Sequence, residues 1–210
     1  DLSTHGTEAL SLYFRGISPS FAQSPDGEIL MNGIGPDIWD VSDAFRFAYK
    51  TLNGNGSIVA RVNSLYQSNT WAKAGVMIRQ STAVSAVHAM VVKTSLDGNC
   101  ARYQWRPTAA AVSSSADAGS VGMTATFPYW VKVERIGSSF TGYISPDGTT
   151  WTQLGTAQTI TMTAPVLIGL AVTSHMAVEL RNFTFDSIAT TCDVKGDWTV
   201  ADIGVEKGVN

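Results

Sequence analysis

Short runs in which apolar and polar residues alternate follow one another along most of this chain. A period of two is the spacing of a β-strand, because successive side chains of a strand point to opposite faces. Phe45, Phe47 and Tyr49 alternate in this way inside VSDAFRFAYK, a segment that could otherwise pass for one or two turns of helix. Further runs bounded by turn-forming residues are ALSLYFRG, GSIVARVNSL, AKAGVMIRQ, VHAMVVKTS, CARYQWRP, YWVKVERIG, SFTGYIS, TWTQLG, VLIGLAVTS and VELRNFTFDSI. This succession predicts an all-β protein, a two-sheet antiparallel sandwich of jelly-roll type.

The tetrapeptide Ser-x-Asp-Gly recurs between these runs, at residues 24–27, 95–98 and 145–148. The third copy continues as SPDGTTW, which approaches the Asp-box of sialidases, Ser-x-Asp-x-Gly-x-Thr-Trp, but has one residue too few between Asp and Gly. Asp can hydrogen-bond its own backbone and Gly can adopt a left-handed conformation, so the local chemistry is that of a turn. A motif used repeatedly in one chain favours hairpin connections over a catalytic site.

The third turn also predicts a strand register. A short loop over residues 146–148 would place Tyr143 opposite Trp151 across the hairpin. Three apolar side chains would then face the core: Phe140, Ile144 and Leu154. The segment TAAAVSSSADAGSVG, residues 108–122, is small and polar and predicts a long surface loop. No linker divides the chain, so we expect a single domain over residues 1–210.

Composition narrows the class of protein. Only 15% of the 210 residues are charged, which is below the usual quarter and typical of a β-rich extracellular protein with many turns. The net charge of −3 argues against a nucleic-acid partner, and no basic cluster indicates a membrane surface. No apolar run approaches the ~18 residues of a membrane span. We therefore expect a secreted or cell-surface protein with neither nucleic acid nor membrane as a partner.

The two cysteines, Cys100 and Cys192, leave two alternatives open. They could form a disulfide that closes a long loop, or they could be two buried free thiols that behave as small hydrophobic residues. Neither lies in a Cys-x-x-Cys pair, so metal or redox chemistry is not indicated.

Catalytic patterns are missing from the sequence. Glycoside hydrolysis needs two carboxylates that flank the scissile bond, and the Glu-x-Asp-x-x-Glu spacing of jelly-roll glucanases does not occur here. Glu134 and Glu179 are isolated strand residues. The histidines are scattered and belong to no Gly-x-Ser-x-Gly or His-Glu-x-x-His motif. The sequence therefore predicts that the protein is not an enzyme.

The acidic segment GPDIWDVSDAF places Asp37, Asp40 and Asp43 three residues apart. Carboxylates gathered with loop carbonyls could hold Ca²⁺, which takes six to eight oxygen ligands. The spacing does not match an EF-hand loop, and Asp is also a common turn former. Structural calcium is therefore a candidate cofactor, and these three residues are its candidate ligands.

Two strand-like segments offer polar side chains that could contact a sugar. Arg102, Gln104 and Arg106 share one face of CARYQWRP, and Lys73 and Arg79 share one side of AKAGVMIRQ. Such side chains can make multi-donor contacts with hydroxyls and carboxylates. We expect a groove on a concave sheet whose candidate ligand-binding residues are Arg79, His88, Gln104, Arg106 and His175, with Trp71 or Trp105 for stacking. The alternative is that these side chains only solvate the outer face of a sheet.

Several segments together resemble a known family. They are DIWDVSDAFRFAYKTLNGNGSIVARVNS, WAKAGVMIRQS, HAMVVKTS, YWVKVERIGSSFTGYISPDGTTWTQLG and IGLAVTSH. In this order they resemble the concanavalin A-like (LamG-like) modules of bacterial secreted multidomain proteins, over about residues 37–188. The resemblance implies a jelly roll of two curved sheets and a module that binds glycans. It carries over no fixed binding residues. Residues 1–36 and 189–210 would be edge strands or remnants of neighbouring modules.

Three hypotheses follow. The preferred one is a non-catalytic carbohydrate-binding module that holds a polysaccharide or oligosaccharide on a concave sheet. The second is a structural or spacer module that joins the neighbouring domains of a larger protein. The third is a polysaccharide-degrading enzyme, which the residues support least.

Overall fold

In the computed structural model of the protein, the described residues are 21–65, 69–95, 101–117 and 127–205. Their regular secondary structure consists of strands. The first eight are β1 (Phe21–Gln23), β2 (Ile29–Gly35), β3 (Asp37–Trp39), β4 (Ser42–Asn53), β5 (Gly56–Leu65), β6 (Lys73–Arg79), β7 (His88–Thr94) and β8 (Ala101–Arg106). The others are β9 (Ser114–Asp117), β10 (Tyr129–Ile136), β11 (Ser139–Ser145), β12 (Thr152–Thr159), β13 (Val166–Thr173), β14 (Met176–Thr190) and β15 (Asp193–Ile203). No helix long and apolar enough to cross a membrane occurs in this part of the chain.

The strands form two antiparallel sheets. One has seven strands in the order β1-β2-β14-β5-β10-β11-β12. The other has eight strands, of which seven follow the order β15-β4-β13-β6-β7-β8-β9 while β3 pairs with β4. Neighbours in space are often distant in sequence, as for β2 and β14 or β4 and β13. This is the sandwich that the alternating pattern predicts.

The main hydrophobic core lies between the two sheets. Alternate residues of β10 are buried, so Val131 and Val133 face inward while Lys132 and Glu134 stay half-exposed. The opposite sheet contributes apolar side chains in the same way, among them Val76, Val91 and Leu170. The period of two in the sequence therefore arises because each such strand buries one of its two faces.

The eight-stranded sheet is also covered on its outer face. Every residue of β6 and β7 is buried. A strand with one face in solvent would instead show alternating buried and exposed residues. A second hydrophobic cluster lies on this outer face and consists of Ile38, Phe45, Phe47, Met77, Met90, Val92, Ala171 and Ile203. Ile38 comes from the short strand β3. The concave polar floor expected from the sequence is thus largely an apolar layer.

Two of the strands outside the predicted alternating runs, β2 and β15, lie in residues 1–36 and 189–210, for which edge strands were one alternative. The segment ILMNGIG forms β2 although its apolar residues do not alternate cleanly, and it pairs with β14. The segment DVKGDWTVADI forms β15 at the edge of the eight-stranded sheet. The run ALSLYFRG lies outside the described residues.

The predicted loop over residues 108–122 is wrong in part. Its residues 114–117 form β9, which pairs with β8 at the edge of the eight-stranded sheet. Small polar residues carry no apolar signal on an edge strand, so the pairing depends on the neighbouring strand rather than on the local sequence.

The hairpin at SPDGTTW is a turn, as predicted, but its register differs. Tyr143 pairs with Gln153 and not with Trp151, because the last pair of the ladder is Ile144 with Thr152. Asp147 Oδ1 accepts hydrogen bonds from the backbone N–H groups of Thr150 at 2.7 Å and Thr149 at 2.8 Å, which closes the connection before the ladder begins. These bonds hold the pKa of Asp147 well below its usual value. The predicted core residues of the hairpin are buried: Phe140, Ile144 and Leu154.

The first copy of the tetrapeptide is a turn as well. The Ser24 carbonyl accepts a hydrogen bond from the Gly27 N–H at 3.0 Å, and Gly27 has a φ of 92°. The second copy lies mostly outside the described residues. Cys192 is exposed, which contradicts the alternative of a buried thiol at that position. Cys100 lies outside the described residues, so the disulfide stays a prediction.

Candidate functional site

The predicted groove floor is occupied by a buried ion network centred on Asp43. Asp43 lies near the start of β4, and its side chain is fully buried. Its carboxylate accepts hydrogen bonds from Arg79 Nη1 at 2.6 Å and from Arg106 Nη1 at 2.6 Å and Nη2 at 2.7 Å. Burial acts to raise the pKa of Asp43, but the Arg106 hydrogen bond and the nearby positive charges outweigh it, so the pKa is lowered.

The remaining donors of the two arginines bind backbone carbonyls of the surrounding loops. Arg106 donates to the carbonyls of Asp40 at 2.9 Å and Ala111 at 3.1 Å. Arg79 donates to the carbonyls of Ser81 at 2.9 Å and Ala83 at 2.5 Å. The network therefore ties three loops to the outer face of the sheet, and both guanidinium groups are inaccessible to a ligand.

His88 belongs to the same network. Its Nδ1 lies 3.3 Å from Arg79 Nη1 and 3.4 Å from Arg106 Nη1. The same Nδ1 lies 3.4 Å from the backbone carbonyl of Ala86. Burial lowers the pKa of His88 to about 3, so the ring is neutral at pH 7. Gln104 is also buried. The prediction that Arg79, His88, Gln104 and Arg106 form an open binding floor does not hold in this structure.

The three candidate calcium ligands have different partners. Asp43 binds the arginines, whereas Asp37 binds Lys73 and lies with Oδ2 3.2 Å from His175 Nε2. Asp40 has a φ of 51°, and its backbone carbonyl is the group that accepts hydrogen bonds from Arg106. The described residues contain no group of three His, Cys, Asp or Glu side chains that could hold a metal ion. Asp37, Asp40 and Asp43 therefore do not form the predicted calcium site.

A groove of about 450 Å³ opens beside this network, at one margin of the eight-stranded sheet. We call it the Trp71 groove, and its walls are Asp37, Trp39, Trp71, Lys73, Arg102, Ser115 and His175. Its residues come from β3, β6, β8, β9, the turn after β13 and, for Trp71, the turn just before β6. Trp71 is 41% exposed, and its backbone N–H is fixed by the side chain of Asn69 at 2.9 Å. An exposed tryptophan beside several polar side chains makes this groove the candidate site.

The polar groups of the Trp71 groove are partly paired with one another. Asp37 bridges Lys73 and His175, and burial lowers the pKa of Lys73 although Asp37 opposes that effect. The Arg102 guanidinium carbon lies 5.4 Å from the centre of the Trp71 ring, and its Nη1 is 3.3 Å from Asp117. His175 has a φ of 56°, which sets its ring at the turn between β13 and β14.

A second groove, of about 600 Å³, meets the first. The two share Asp37, Trp39 and His175, so they are neighbouring grooves, which we call together the cleft. We call the second part the Val84 groove, after the exposed residue on its far wall. Trp39 is thus common to both halves.

The structure brings together only some of the residues predicted for the site. Trp71 and His175 lie in the Trp71 groove, together with Asp37, which was predicted as a metal ligand. Trp105 does not, because it packs against the main core and contacts Tyr103 at a ring distance of 5.0 Å. Sequence reasoning missed Trp39, whose only signal was a tryptophan inside a turn-like acidic segment. It also placed Lys73 and Arg102 on polar strand faces without assigning them to the site.

Comparison with known proteins adds information on the fold. No protein-family model matches this sequence, and no curated protein sequence is significantly similar to it. A functionally unknown protein from Saccharomyces cerevisiae superposes with a TM-score of 0.62 at 16% identity, covering 84% of this chain and 94% of its own. A GH43 protein from Bacillus licheniformis superposes with a TM-score of 0.59 at 13% identity, covering 78% of this chain and 32% of its own.

A third similar structure is a legume lectin-like domain from Entamoeba histolytica. Its TM-score is 0.52 at 7% identity, with 81% of this chain and 86% of that domain covered. The protein is a jelly-roll sandwich. At these identities the similarity establishes the fold alone, and it confirms the fold class predicted from the alternating strands. This chain spans about a third of the length of the GH43 protein.

We expect Asp43→Asn to destabilise the jelly roll by about 3–5 kcal/mol, because Arg79 and Arg106 would remain buried without a counter-ion. Urea denaturation measures the loss. Asp40→Asn is the control, since the hydrogen bonds of Asp40 to Arg106 use its backbone carbonyl. Equal stability of the two variants would contradict the role given to the Asp43 network.

We also expect a pH dependence from His88. The folded-state pKa of about 3 lies below the usual histidine value of 6.5, so below pH 6.5 the unfolded chain binds a proton that the folded protein does not. The free energy of unfolding therefore decreases as the pH is lowered below 6.5, by up to about 1.4 kcal/mol for each pH unit of acidification. His88→Gln stays neutral and should show a flatter profile between pH 6 and 4.5, measured by urea denaturation. If the wild-type protein and His88→Gln lose the same free energy of unfolding over this pH range, His88 does not contribute to the pH dependence.

Proposed function

We propose that this protein is a non-catalytic carbohydrate-binding module that holds a polysaccharide in the cleft formed by the Trp71 and Val84 grooves. The observation that carries the proposal is that Trp39 and Trp71 line one open groove together with charged and hydroxyl side chains. An aromatic ring offers an apolar surface to one face of a sugar ring. Neighbouring donors and acceptors can bind the hydroxyl groups at its edge.

The size of the cleft supports a chain of sugars as the ligand. Each groove falls within the range of volumes typical of small-molecule sites, and Trp39 lines both. A polymer could therefore contact Trp71 with one unit and Trp39 with another. The fold shared with a legume lectin-like domain and a GH43 protein is consistent with a carbohydrate partner.

The carboxylates of the cleft support a binding role over a catalytic one. Hydrolysis of a glycosidic bond uses one carboxyl as an acid and another as a base or nucleophile. Among the described residues, Asp37 is the single carboxylate in the wall of the Trp71 groove, and it is engaged by Lys73 and His175. Asp43, at the edge of the Val84 groove, is engaged by two arginines. Asp40 also lines the Val84 groove, and among the described residues of the cleft it is the one carboxylate without an ion-pair partner, whereas hydrolysis uses two.

The setting in which such a module works is part of the same proposal. The resemblance to LamG-like modules of bacterial secreted proteins supports a secreted or cell-surface protein whose neighbouring domains act on or attach to the same polysaccharide. The proposed binding uses no calcium, because the described residues contain no group of three His, Cys, Asp or Glu side chains that could hold a metal ion.

Affinity electrophoresis against a panel of neutral and acidic polysaccharides tests the proposal. We expect at least one polysaccharide to retard the protein, and we expect Trp71→Ala and Trp39→Ala each to weaken binding roughly tenfold through loss of stacking surface. Trp151→Ala is the matched control, because Trp151 is half-buried at the SPDGTTW turn and does not line the cleft. Thermal unfolding of each variant verifies that the fold is intact.

Two outcomes would contradict this function. If no polysaccharide retards the wild-type protein, the spacer hypothesis replaces it. If the protein releases reducing sugars from the same panel, the protein is an enzyme and the inference from its carboxylates is wrong.

A further inference from the structure

The charges in the Trp71 groove are unevenly satisfied. Lys73 and His175 both contact Asp37, so the one carboxylate that the described residues place in the wall of this groove already has two partners inside it. Lys73 is buried and paired with Asp37. Among the described residues of the wall, Arg102 is the other side chain with a permanent positive charge. The binding properties of the groove toward charge therefore depend on Arg102.

Arg102 has donors to spare. Among the described residues its guanidinium donates one hydrogen bond, from Nη1 to Asp117 at 3.3 Å, although the group carries five N–H donors. The Asp117 side chain is 49% exposed, so this single contact is an ordinary surface ion pair, worth little in water. Arg102 Nε is enclosed and has no hydrogen-bond partner in this part of the chain. The guanidinium is thus fixed in place without being saturated.

The position of Arg102 links its charge to the stacking surface. Its guanidinium carbon lies 5.4 Å from the centre of the Trp71 ring, and its side chain is 15% exposed. A sugar that packs against the open part of Trp71 would therefore have a cationic donor within the reach of one ring substituent. A guanidinium binds a carboxylate more strongly than it binds a hydroxyl, because both partners of the hydrogen bond are then charged.

We propose that the polysaccharide is an acidic one, whose uronic-acid carboxylate binds Arg102 while its ring packs against Trp71. This inference rests on the proposed function and specifies its ligand. The whole chain has a net charge of −3, so general attraction between the protein and a polyanion does not favour binding. Selection of an acidic sugar has to come from the local cation in the groove.

The test uses one polymer in two charge states. Polygalacturonate and highly methyl-esterified pectin share the galacturonate backbone, but esterification removes the carboxylate charge. We expect the wild-type protein to bind polygalacturonate at least about tenfold more tightly than the ester in affinity electrophoresis. Raising the salt concentration should narrow that ratio, because salt screens a partly exposed ion pair.

Substitution of Arg102 identifies the cation responsible. Arg102→Gln should reduce the affinity for polygalacturonate about tenfold and change the affinity for the ester less than twofold. Arg102→Lys keeps the charge and should retain part of the preference for polygalacturonate. This variant replaces Arg102→Gln in the test if the glutamine variant folds poorly. Arg61→Gln is the matched control, because Arg61 is likewise paired with an aspartate, Asp186 at 2.8 Å, but lies on the seven-stranded sheet.

The outcomes separate this inference from the proposed function. A preference for polygalacturonate that Arg102→Gln removes and Arg61→Gln leaves intact supports the inference. Retention by neutral polysaccharides that depends on Trp71, with no preference for the acid form, overturns the inference and leaves the proposed function standing. Absence of retention by every polysaccharide overturns both.

Discussion

The ion network of Asp43 with Arg79 and Arg106 is the interaction on which the functional end of this jelly roll depends. A buried ion pair adds little net stability, because the desolvation of both charges offsets their attraction. Its effect is structural. Once the charges are buried, each remaining guanidinium donor must find an acceptor, and here the acceptors are carbonyls of the Asp40 turn and of two further loops.

The same network determines where a ligand can bind. It lies on the outer face of the eight-stranded sheet, next to a hydrophobic cluster on the same face. A sheet buried on both faces offers no open floor, so accessible aromatic and polar groups occur at its margin. Arg106 also donates to the Trp39 carbonyl at 3.2 Å, which fixes the backbone of the residue shared by both halves of the cleft.

The cleft combines a rigid base with few free charges. Asp37 holds Lys73 and His175 together, so the polar groups at the bottom of the groove satisfy one another. Arg102 and Trp71 lie above them with exposed surface and unused donors. This division between paired and unpaired groups is the reason for assigning stacking to the tryptophans and charge recognition to one arginine.

The sequence by itself determined most of the strands, the Asp-Gly turns and the fold class, because a period of two and the chemistry of Asp-Gly turns are properties of neighbouring residues. It also singled out Trp71 and His175. It did not reveal that Asp43 pairs with Arg79 and Arg106, which are 36 and 63 residues away, nor that Trp105 faces the core. Polar side chains on one strand face look alike in sequence whether they meet water or a buried counter-ion. Only the tertiary structure, by bringing β3 and the loops over the sheet, decided which of them are accessible.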